Sequence, residues 1–218
     1  MTASPARRRP PAARLYLTTP PARDAGSADA IVPLLERALP AADVAAVLMR
    51  FDPEQRDERA AINAAKRLAS VVQGAGAALV LDGRPLIAAR AGADGAHLTG
   101  FAALSAALPS LKPDRIAGAG GLRSRHDAMV AGEAGADYVM FGEPDIEGGR
   151  PSLEAVAERV AWWSGVFEVP CVGYAQALAE VEVLVGAGAE FIALGEFIWE
   201  DANAIAATLE SAGRMCVR

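Results

Sequence analysis

The feature that most constrains this chain is an alternation of short apolar runs with longer amphipathic stretches, which repeats eight times from residue 14 onward. Short, nearly continuous apolar runs are typical of parallel strands that are covered on both faces. The stretches between them have the apolar spacing of helices that pack on one side. Eight such pairs in a chain of 218 residues predict a single (β/α)8 TIM barrel of the α/β class rather than an open sheet.

The barrel is predicted to span residues 14–213, between a disordered basic extension (residues 1–13) and a short tail (residues 214–218). The beginning of the chain is rich in Arg and Pro and lacks the apolar stretch of a secretory signal. An arm that binds an anionic partner is the alternative for this segment. The predicted strands cover residues 14–18, 44–49, 77–82, 95–98, 115–118, 138–141, 169–173 and 191–194.

A tripeptide, Gly-Ala-Asp or Gly-Ala-Glu, stands just before three of the predicted strands, at residues 92–94, 135–137 and 188–190. The glycine supplies the left-handed end of the preceding helix, and the small alanine lets the chain turn tightly into the strand. We therefore expect these turns at the end of the barrel where the strands begin.

Charge and cysteine content limit the partners and the compartment. The net charge is −6, and five arginines precede the first acid, Asp24, so the body of the chain is more acidic than the whole. Such a body is a poor partner for nucleic acid. Charged residues interrupt every apolar stretch before it reaches the length of a membrane span, so no membrane contact is expected. The two cysteines, Cys171 and Cys216, are not a disulfide framework, which fits a cytoplasmic protein.

The candidate site is the set of residues at the carboxyl ends of the strands, because (β/α)8 barrels carry their chemistry there. Some of these residues also have structural interpretations. Arg50 is a candidate for a bridge to Asp82 or Glu143, His97 for a core histidine, and Ser124 for a helix N-cap. The residues that we select as candidates for binding are Arg50, Asp82, Gly120, Gly121, Arg123, Ser124, Glu143, Gly173 and Gly195.

The order of motifs resembles that of the thiamine phosphate synthase and TenI family over most of the chain. Residues 15–19, Leu-Tyr-Leu-Thr-Thr, are similar to the family's first strand, and residues 47–50 are similar to its Gln-Leu-Arg strand. Residues 93–98, Ala-Asp-Gly-Ala-His-Leu, resemble its Ala-Asp-Gly-Val-His-Leu strand. Residues 135–142 resemble its sixth strand.

This resemblance implies a reaction that joins a hydroxymethylpyrimidine diphosphate to a thiazole phosphate, with loss of Mg²⁺-bound diphosphate. It implies a phosphorylated small molecule as ligand, and Asp82 as the retained ligand of Mg²⁺. The leaving diphosphate needs cations and hydrogen-bond donors around it, because negative charge accumulates on it as the bond breaks.

Several positions depart from the family pattern. Leu48 and Asp52 stand where the family has Gln and Lys, and the second metal-binding Asp, expected near Ala102, is missing. A glycine replaces the first serine of the strand-five motif at residues 120–124. The loop at residues 143–150 carries acids in place of two hydroxyls and an ammonium group. We therefore expect little or no condensation of the two thiamine precursors.

Two other functions remain open. A TenI-type isomerase acting on a thiazole phosphate would use His97 or His126 as its base. A non-catalytic binding barrel would favour a cationic or metal-bound ligand through an acidic rim. That rim consists of Asp52, Asp82, Glu143, Asp145 and Glu196.

The sequence also predicts where an anion would bind and what assemblies are allowed. We expect one weak phosphate or sulfate site near Arg123 and Ser124, where a helix begins, with Asp82 and Glu143 on the opposite wall. A homodimer is one of the assemblies that the sequence allows.

Overall fold

The computed structural model describes residues 12–145 and 147–217. Most of the predicted basic extension, residues 1–11, lies outside the described residues. Ala13, at the end of that extension, is buried, and its amide donates to the carbonyl of Cys216 at 3.2 Å. The ordered barrel therefore includes Ala13.

Eight parallel strands pair in chain order and close into a barrel, which confirms the predicted fold. The helix that follows each strand packs outside it. The strands are β1 Arg14–Thr18, β2 Val44–Met49, β3 Ala78–Asp82, β4 Gly95–Thr99, β5 Ile116–Gly120, β6 Tyr138–Phe141, β7 Cys171–Ala175 and β8 Phe191–Leu194. The helices are α1 Ala25–Ala38, α2 Glu58–Gly74, α3 Ala88–Ala91, α4 Phe101–Leu111, α5 Arg125–Glu133, α6 Leu153–Ser164, α7 Val181–Ala187 and α8 Ile205–Cys216.

Alternation along the strands separates two cores, because successive side chains of a strand point to opposite faces. Leu15 and Leu17 of β1 pack outward in the layer between strands and helices, whereas Tyr16 packs in a second cluster. That inner cluster also contains Leu48, Met140 and other residues from strands around the barrel. It fills the barrel interior, so polar groups among its side chains need partners within the barrel.

Four of the strands have boundaries one or two residues from the prediction, as in β7, which was predicted at 169–173 and spans Cys171–Ala175. Strand β5 continues through Gly120 instead of ending at Gly118, since its glycines obscure the apolar pattern that marks a strand. Helix α8 continues to Cys216, which is buried, so residues 214–216 belong to the helix and not to a tail. Among the described residues, every helix is too short or too polar to cross a bilayer.

The three acids of the Gly-Ala-acid turns hold the strands together at the end where the strands begin, and we call Asp94, Asp137 and Glu190 the foot acids. The Asp94 carboxylate accepts from the amide of Leu79 in β3 at 2.7 Å, while the Asp94 amide donates to the Leu79 carbonyl at 2.8 Å. Asp137 makes the same pair of bonds with Ala117 of β5, and Glu190 makes it with Cys171 of β7. Each foot acid thus joins its own strand to the preceding one.

The first two strands are joined by a related contact. Asp43, just before β2, accepts from the amide of Leu15 through its carbonyl at 3.0 Å. Its carboxylate accepts from Arg14 Nε at 2.9 Å and from Arg14 Nη2 at 2.8 Å, so two parallel N–H groups meet one carboxylate.

Candidate ligand site at the mouth of the barrel

The carboxyl ends of β3 to β6 bring five of the predicted residues together. Asp82 of β3 lies beside His97 of β4 in the strand register, and β4 runs beside β5, which ends at Gly120. Gly121 follows β5. Glu143 follows β6, and its carboxylate bonds to His97 and to Gly121. The central part of the predicted site is therefore assembled at the mouth, although these residues are far apart in sequence.

Glu143 bonds to two donors with its two carboxylate oxygens. His97 Nε2–H donates to Oε1 at 2.8 Å, and the Gly121 amide donates to Oε2 at 3.0 Å. The His97 side chain is 1% exposed and that of Glu143 is 18% exposed. A Cβ atom at Gly120 would lie 1.9 Å from Glu143 Oε2 and 2.4 Å from His97 Nε2. The missing side chain of Gly120 is what makes room for this pair.

A chain of buried hydrogen bonds continues from His97 into the barrel. His97 Nδ1 and the Tyr138 hydroxyl are 2.9 Å apart, and the Tyr138 and Tyr16 hydroxyls are 2.8 Å apart. We call Glu143, His97, Tyr138 and Tyr16 the mouth network. Sequence reasoning missed the two tyrosines, and the available signal was their position among inward-facing residues of β1 and β6. His97 is thus buried with both ring nitrogens bonded, as its structural interpretation required.

Electrostatics favour the charged form of His97. Burial lowers the pKa of His97, but the hydrogen-bonded Glu143 carboxylate and nearby Asp82 raise it more, so the net shift is upward. Burial raises the pKa of Asp82; the positive charge of His97 opposes that shift and Glu143 adds to it. Burial also raises the pKa of Tyr138 well above its usual range. The mouth network therefore holds a proton firmly at His97 Nε2.

Arg50 pairs with a different acid from those predicted. Its Nη1 donates to Glu196, which follows β8, rather than to Asp82 or Glu143. The Arg50 amide also donates to the Thr19 hydroxyl at 3.1 Å. The residue therefore joins the ends of β1, β2 and β8 on the far side of the mouth from Glu143.

The start of α5, where an anion site was predicted, has its own carboxylate. The Ser124 amide donates to Asp127 Oδ2 at 2.9 Å, and the Asp127 amide donates to Ser124 Oγ at 3.1 Å. Ser124 is thus a helix N-cap, as its structural interpretation required. Arg123 is exposed, and its carbonyl accepts from Arg159 Nη2 at 2.9 Å. The anion site near Arg123 stays a prediction, and an anion there would lie close to Asp127.

The remaining predicted residues lie around the mouth or outside it. A Cβ atom at Gly173 would contact Leu184 of α7, so this glycine faces the outer layer and not the mouth. A Cβ atom at Gly195 would lie 2.7 Å from the Tyr174 hydroxyl, so Gly195 allows that ring to approach. His126 is exposed in the first turn of α5. His97 is bonded at both ring nitrogens and His126 lies outside the mouth network, and the base of an isomerase stays a prediction.

The mouth is a poor fit for Mg²⁺ on its own. Among the residues that the structure describes, no group of three or more His, Cys, Asp or Glu side chains is arranged to hold a metal ion. Asp82 is a half-buried carboxylate, and the charged form of the neighbouring His97 lowers the pKa of Asp82 against the effect of burial. Mg²⁺ prefers several oxygen ligands, which in such sites include substrate phosphates. The Mg²⁺ prediction for Asp82 stays untested, and we derive no step through a metal.

The fold is a closed (β/α)8 barrel, and the candidate site lies at the carboxyl ends of its strands. The family model described as thiamine monophosphate synthase matches residues 15–198. The chain belongs to this family.

Individual relatives agree with that assignment. The chain is 38% identical to a thiamine-phosphate synthase of Rhodospirillum centenum over 93% of this chain and 97% of the relative. It is 34% identical to a thiamine-phosphate synthase of Hyphomonas neptunium over 92% of each chain. A solved thiamine phosphate pyrophosphorylase from Pyrococcus furiosus superposes with a TM-score of 0.75 at 20% identity, covering 93% of this chain and 95% of that one, which supports the fold.

Proposed function

We propose that this family member binds at its mouth a small ligand with a cationic or hydrogen-bond-donating group, and that it condenses the two thiamine precursors poorly or not at all. The observation that carries the proposal is the position of Glu143. Its carboxylate accepts from both the Gly121 amide and His97 Nε2–H, so neither donor is free for an anionic leaving group.

A diphosphate at this place would meet a negative charge. Two like unit charges about 4 Å apart repel by roughly 4 kcal/mol at the effective dielectric of a protein surface. Asp82, which lies beside His97 in the strand register, adds a second carboxyl group. Because the family's reaction needs stabilisation of an anionic leaving group, this arrangement opposes the development of negative charge there.

A cationic or donor group fits the same surroundings better. Burial disfavours the ionised form of Asp82, and a cation nearby would offset that cost. Glu143 keeps 18% of its side chain exposed, so a ligand in the mouth reaches its carboxylate without unfolding the network. The ligand supported by these contacts is a small organic cation or amine.

The second candidate is the condensation itself, favoured by the similarity of the chain to thiamine-phosphate synthases over more than nine-tenths of its length. Arg50, Asp82 and His97, which the family resemblance singles out, are all present around the mouth. In that case the phosphorylated ligand and Mg²⁺ of the sequence prediction would apply.

One experiment separates the two candidates. Purified protein is incubated with hydroxymethylpyrimidine diphosphate, thiazole phosphate and Mg²⁺, and the product is measured; thermal shift is measured with each precursor and with thiamine, a cation without phosphate. We expect turnover at least 10²-fold below an ordinary rate of roughly 1 per second, and a larger thermal shift with thiamine than with the diphosphate. Turnover at the ordinary rate would establish the second candidate, and stabilisation by the diphosphate alone would overturn the first.

A further inference from the structure

A groove lies on the outer surface of the barrel between helices α1 and α2, and we call it the α1–α2 groove. Its volume is about 600 Å³. Sites for small molecules have volumes of roughly 300–1,000 Å³, so the groove is large enough for one. No residue of the mouth network is part of its lining.

The α2 wall of the groove is polar. Asn63, Lys66 and Ser70 are three and four residues apart, so they lie one above another on a single face of the helix. All three are exposed and line the groove, whereas Leu68 and Val72 of the same helix are buried. This wall therefore presents an amide, an ammonium group and a hydroxyl to the groove.

Two of these polar side chains lack a partner within the protein. Over residues 12–145 and 147–217, the side chains of Asn63 and Lys66 make no hydrogen bond and no ion pair. Lys66 is one of two lysines in the chain, and the other, Lys112, pairs with Asp137. The chain has 27 acids against 21 Lys and Arg residues, yet none of the described acids pairs with Lys66.

Arg67 adds a second positive charge next to Lys66. Its Nε is 3.5 Å from Asp29 Oδ1 of α1, and the two side chains are 60% and 54% exposed. Exposed pairs of this kind contribute little to stability, so a ligand can compete for the guanidinium at small cost. Because the lining holds two cations and one carboxylate, the groove is positive on a protein whose net charge is −6.

The groove also has an apolar part. Val32 of α1 and Val71 of α2 both line it and are half-buried. A ring or short hydrocarbon packed against the two valines would remove apolar surface from water. Cations next to an apolar surface therefore suit an organic anion better than a bare inorganic ion.

We propose that the α1–α2 groove binds a small organic anion, a phosphate monoester or carboxylate attached to an apolar body. The Lys66 ammonium and the Arg67 guanidinium bind the anionic group, and Asn63 donates a hydrogen bond beside them. The apolar body packs against Val32 and Val71. This site is outside the barrel mouth and does not rest on the function proposed for the mouth.

The test is an NMR titration of ¹⁵N-labelled full-length protein with phenyl phosphate. Changes in the shifts of assigned backbone amides give the affinity at the groove separately from the affinity at the mouth. We expect saturable changes at residues 25–32 and 63–71. Benzyl alcohol has the ring but no charge, and we expect its binding at the same residues to be at least tenfold weaker.

Two variants test the role of the charges. Lys66→Gln removes the unpaired ammonium, and we expect at least tenfold weaker binding of phenyl phosphate at the groove. Lys112→Gln is the matched control and should leave that affinity unchanged. Ser70→Glu puts a carboxylate into the groove without changing Lys66, and we expect it to abolish binding there. Its control is Ser105→Glu, at an exposed position of α4.

The proposal is overturned if residues 25–32 and 63–71 show no saturable change, or if the changes are confined to the mouth. It is also overturned if Lys66→Gln or Ser70→Glu binds like the wild type, or if benzyl alcohol binds as tightly as phenyl phosphate. A hexaglutamate peptide that binds more tightly than phenyl phosphate would assign the groove to a protein partner instead. None of these outcomes bears on Glu143 or on the condensation assay, so the proposed function stands or fails separately.

Discussion

The foot and the mouth of this barrel use carboxylates in different ways. At the foot, Asp94, Asp137 and Glu190 accept backbone N–H groups from the preceding strand. At the mouth, Glu143 also accepts a backbone N–H, from Gly121, but its second oxygen bonds a buried, titratable histidine. The same side-chain chemistry thus holds strands together at one end and sets the charge of a ligand site at the other.

The difference predicts how substitutions act. Losing a foot acid removes an acceptor from a strand amide, so its effect is on folding. Changing Glu143 alters the net charge of the mouth and frees two donors, so its effect is mainly on what binds. The experiments below are arranged to test this separation.

The largest effect is expected from Gly120→Ala. The new methyl group would occupy the position of the Glu143 carboxylate and overlap His97, which breaks a buried pair. We expect the free energy of unfolding to fall by about 3 kcal/mol in urea denaturation. Gly186→Ala in α7 is the control, because a Cβ atom there meets nothing within 4 Å, and a small gain of about 0.5 kcal/mol is expected. Equal stability of the two variants would show that the pair does not need Gly120.

Asp94→Ala tests the foot. The substitution leaves the Leu79 amide without its side-chain acceptor and removes a 3.0 Å bond from Gln73. We expect a loss of about 2 kcal/mol in the free energy of unfolding, with ligand affinity at the mouth unchanged. Asp114→Ala, at an exposed position, should change stability by less than about 0.5 kcal/mol. A change in ligand affinity without a loss of stability would contradict the separation.

Glu143→Gln tests the mouth with a smaller change in free energy. It keeps the shape of the side chain but removes the negative charge beside Gly121 and His97. We expect the affinity for inorganic diphosphate, measured by calorimetry, to rise about tenfold, which is about 1.4 kcal/mol. Glu147→Gln in the same loop is the control for general charge. An equal rise in the affinity for diphosphate in both variants would mean that the position of Glu143 beside Gly121 and His97 has no effect of its own.

The smallest expected effect is on the pH dependence of stability. The pKa of His97 is raised in the folded protein, mainly by Glu143 and Asp82 acting against burial. The contribution of His97 to the free energy of unfolding is therefore fully present below its unfolded pKa of about 6.5. It is lost as pH rises through the pKa of His97 in the folded protein.

The measurement compares the wild type with His97→Asn and keeps Asp82 in both, because Asp82 is one of the two groups that raise the pKa of His97. We expect the difference in free energy of unfolding to shrink from about pH 6 to about pH 9. Tyr138, whose pKa is raised well above its usual value by burial, stays neutral over this range. A difference that grows with pH would mean that His97 is neutral in the folded protein.

More of the foot than of the mouth could be predicted from the sequence. The repeated tripeptides marked the turns, because a glycine with left-handed backbone is needed wherever a helix turns tightly into a strand, as at Gly92 and Gly188. The sequence also placed Asp82, His97 and Glu143 at one end of the barrel from strand order alone.

The sequence alone could not predict which side chains pair across strands. The acid that meets Arg50 is Glu196, because closing the barrel places β8 next to β1 near the end of β2. The orientation of Gly173 depends on which face of β7 packs against α7. In the sequence, Tyr16 and Tyr138 occupy positions typical of apolar strand residues. Only the arrangement of the strands shows that their hydroxyls are hydrogen-bonded.

The side-chain carboxylates at the foot join the eight strands in four pairs. Asp43 joins β1 to β2, and the three foot acids join β3 to β4, β5 to β6 and β7 to β8. Two side-chain contacts of the mouth cross from one pair of strands to another: His97 of the second pair bonds to Glu143 after the third, and Arg50 after the first meets Glu196 after the fourth. The carboxylates of the foot therefore act within a pair of strands, whereas these two contacts act between pairs, so a ligand held between them would touch more than one pair.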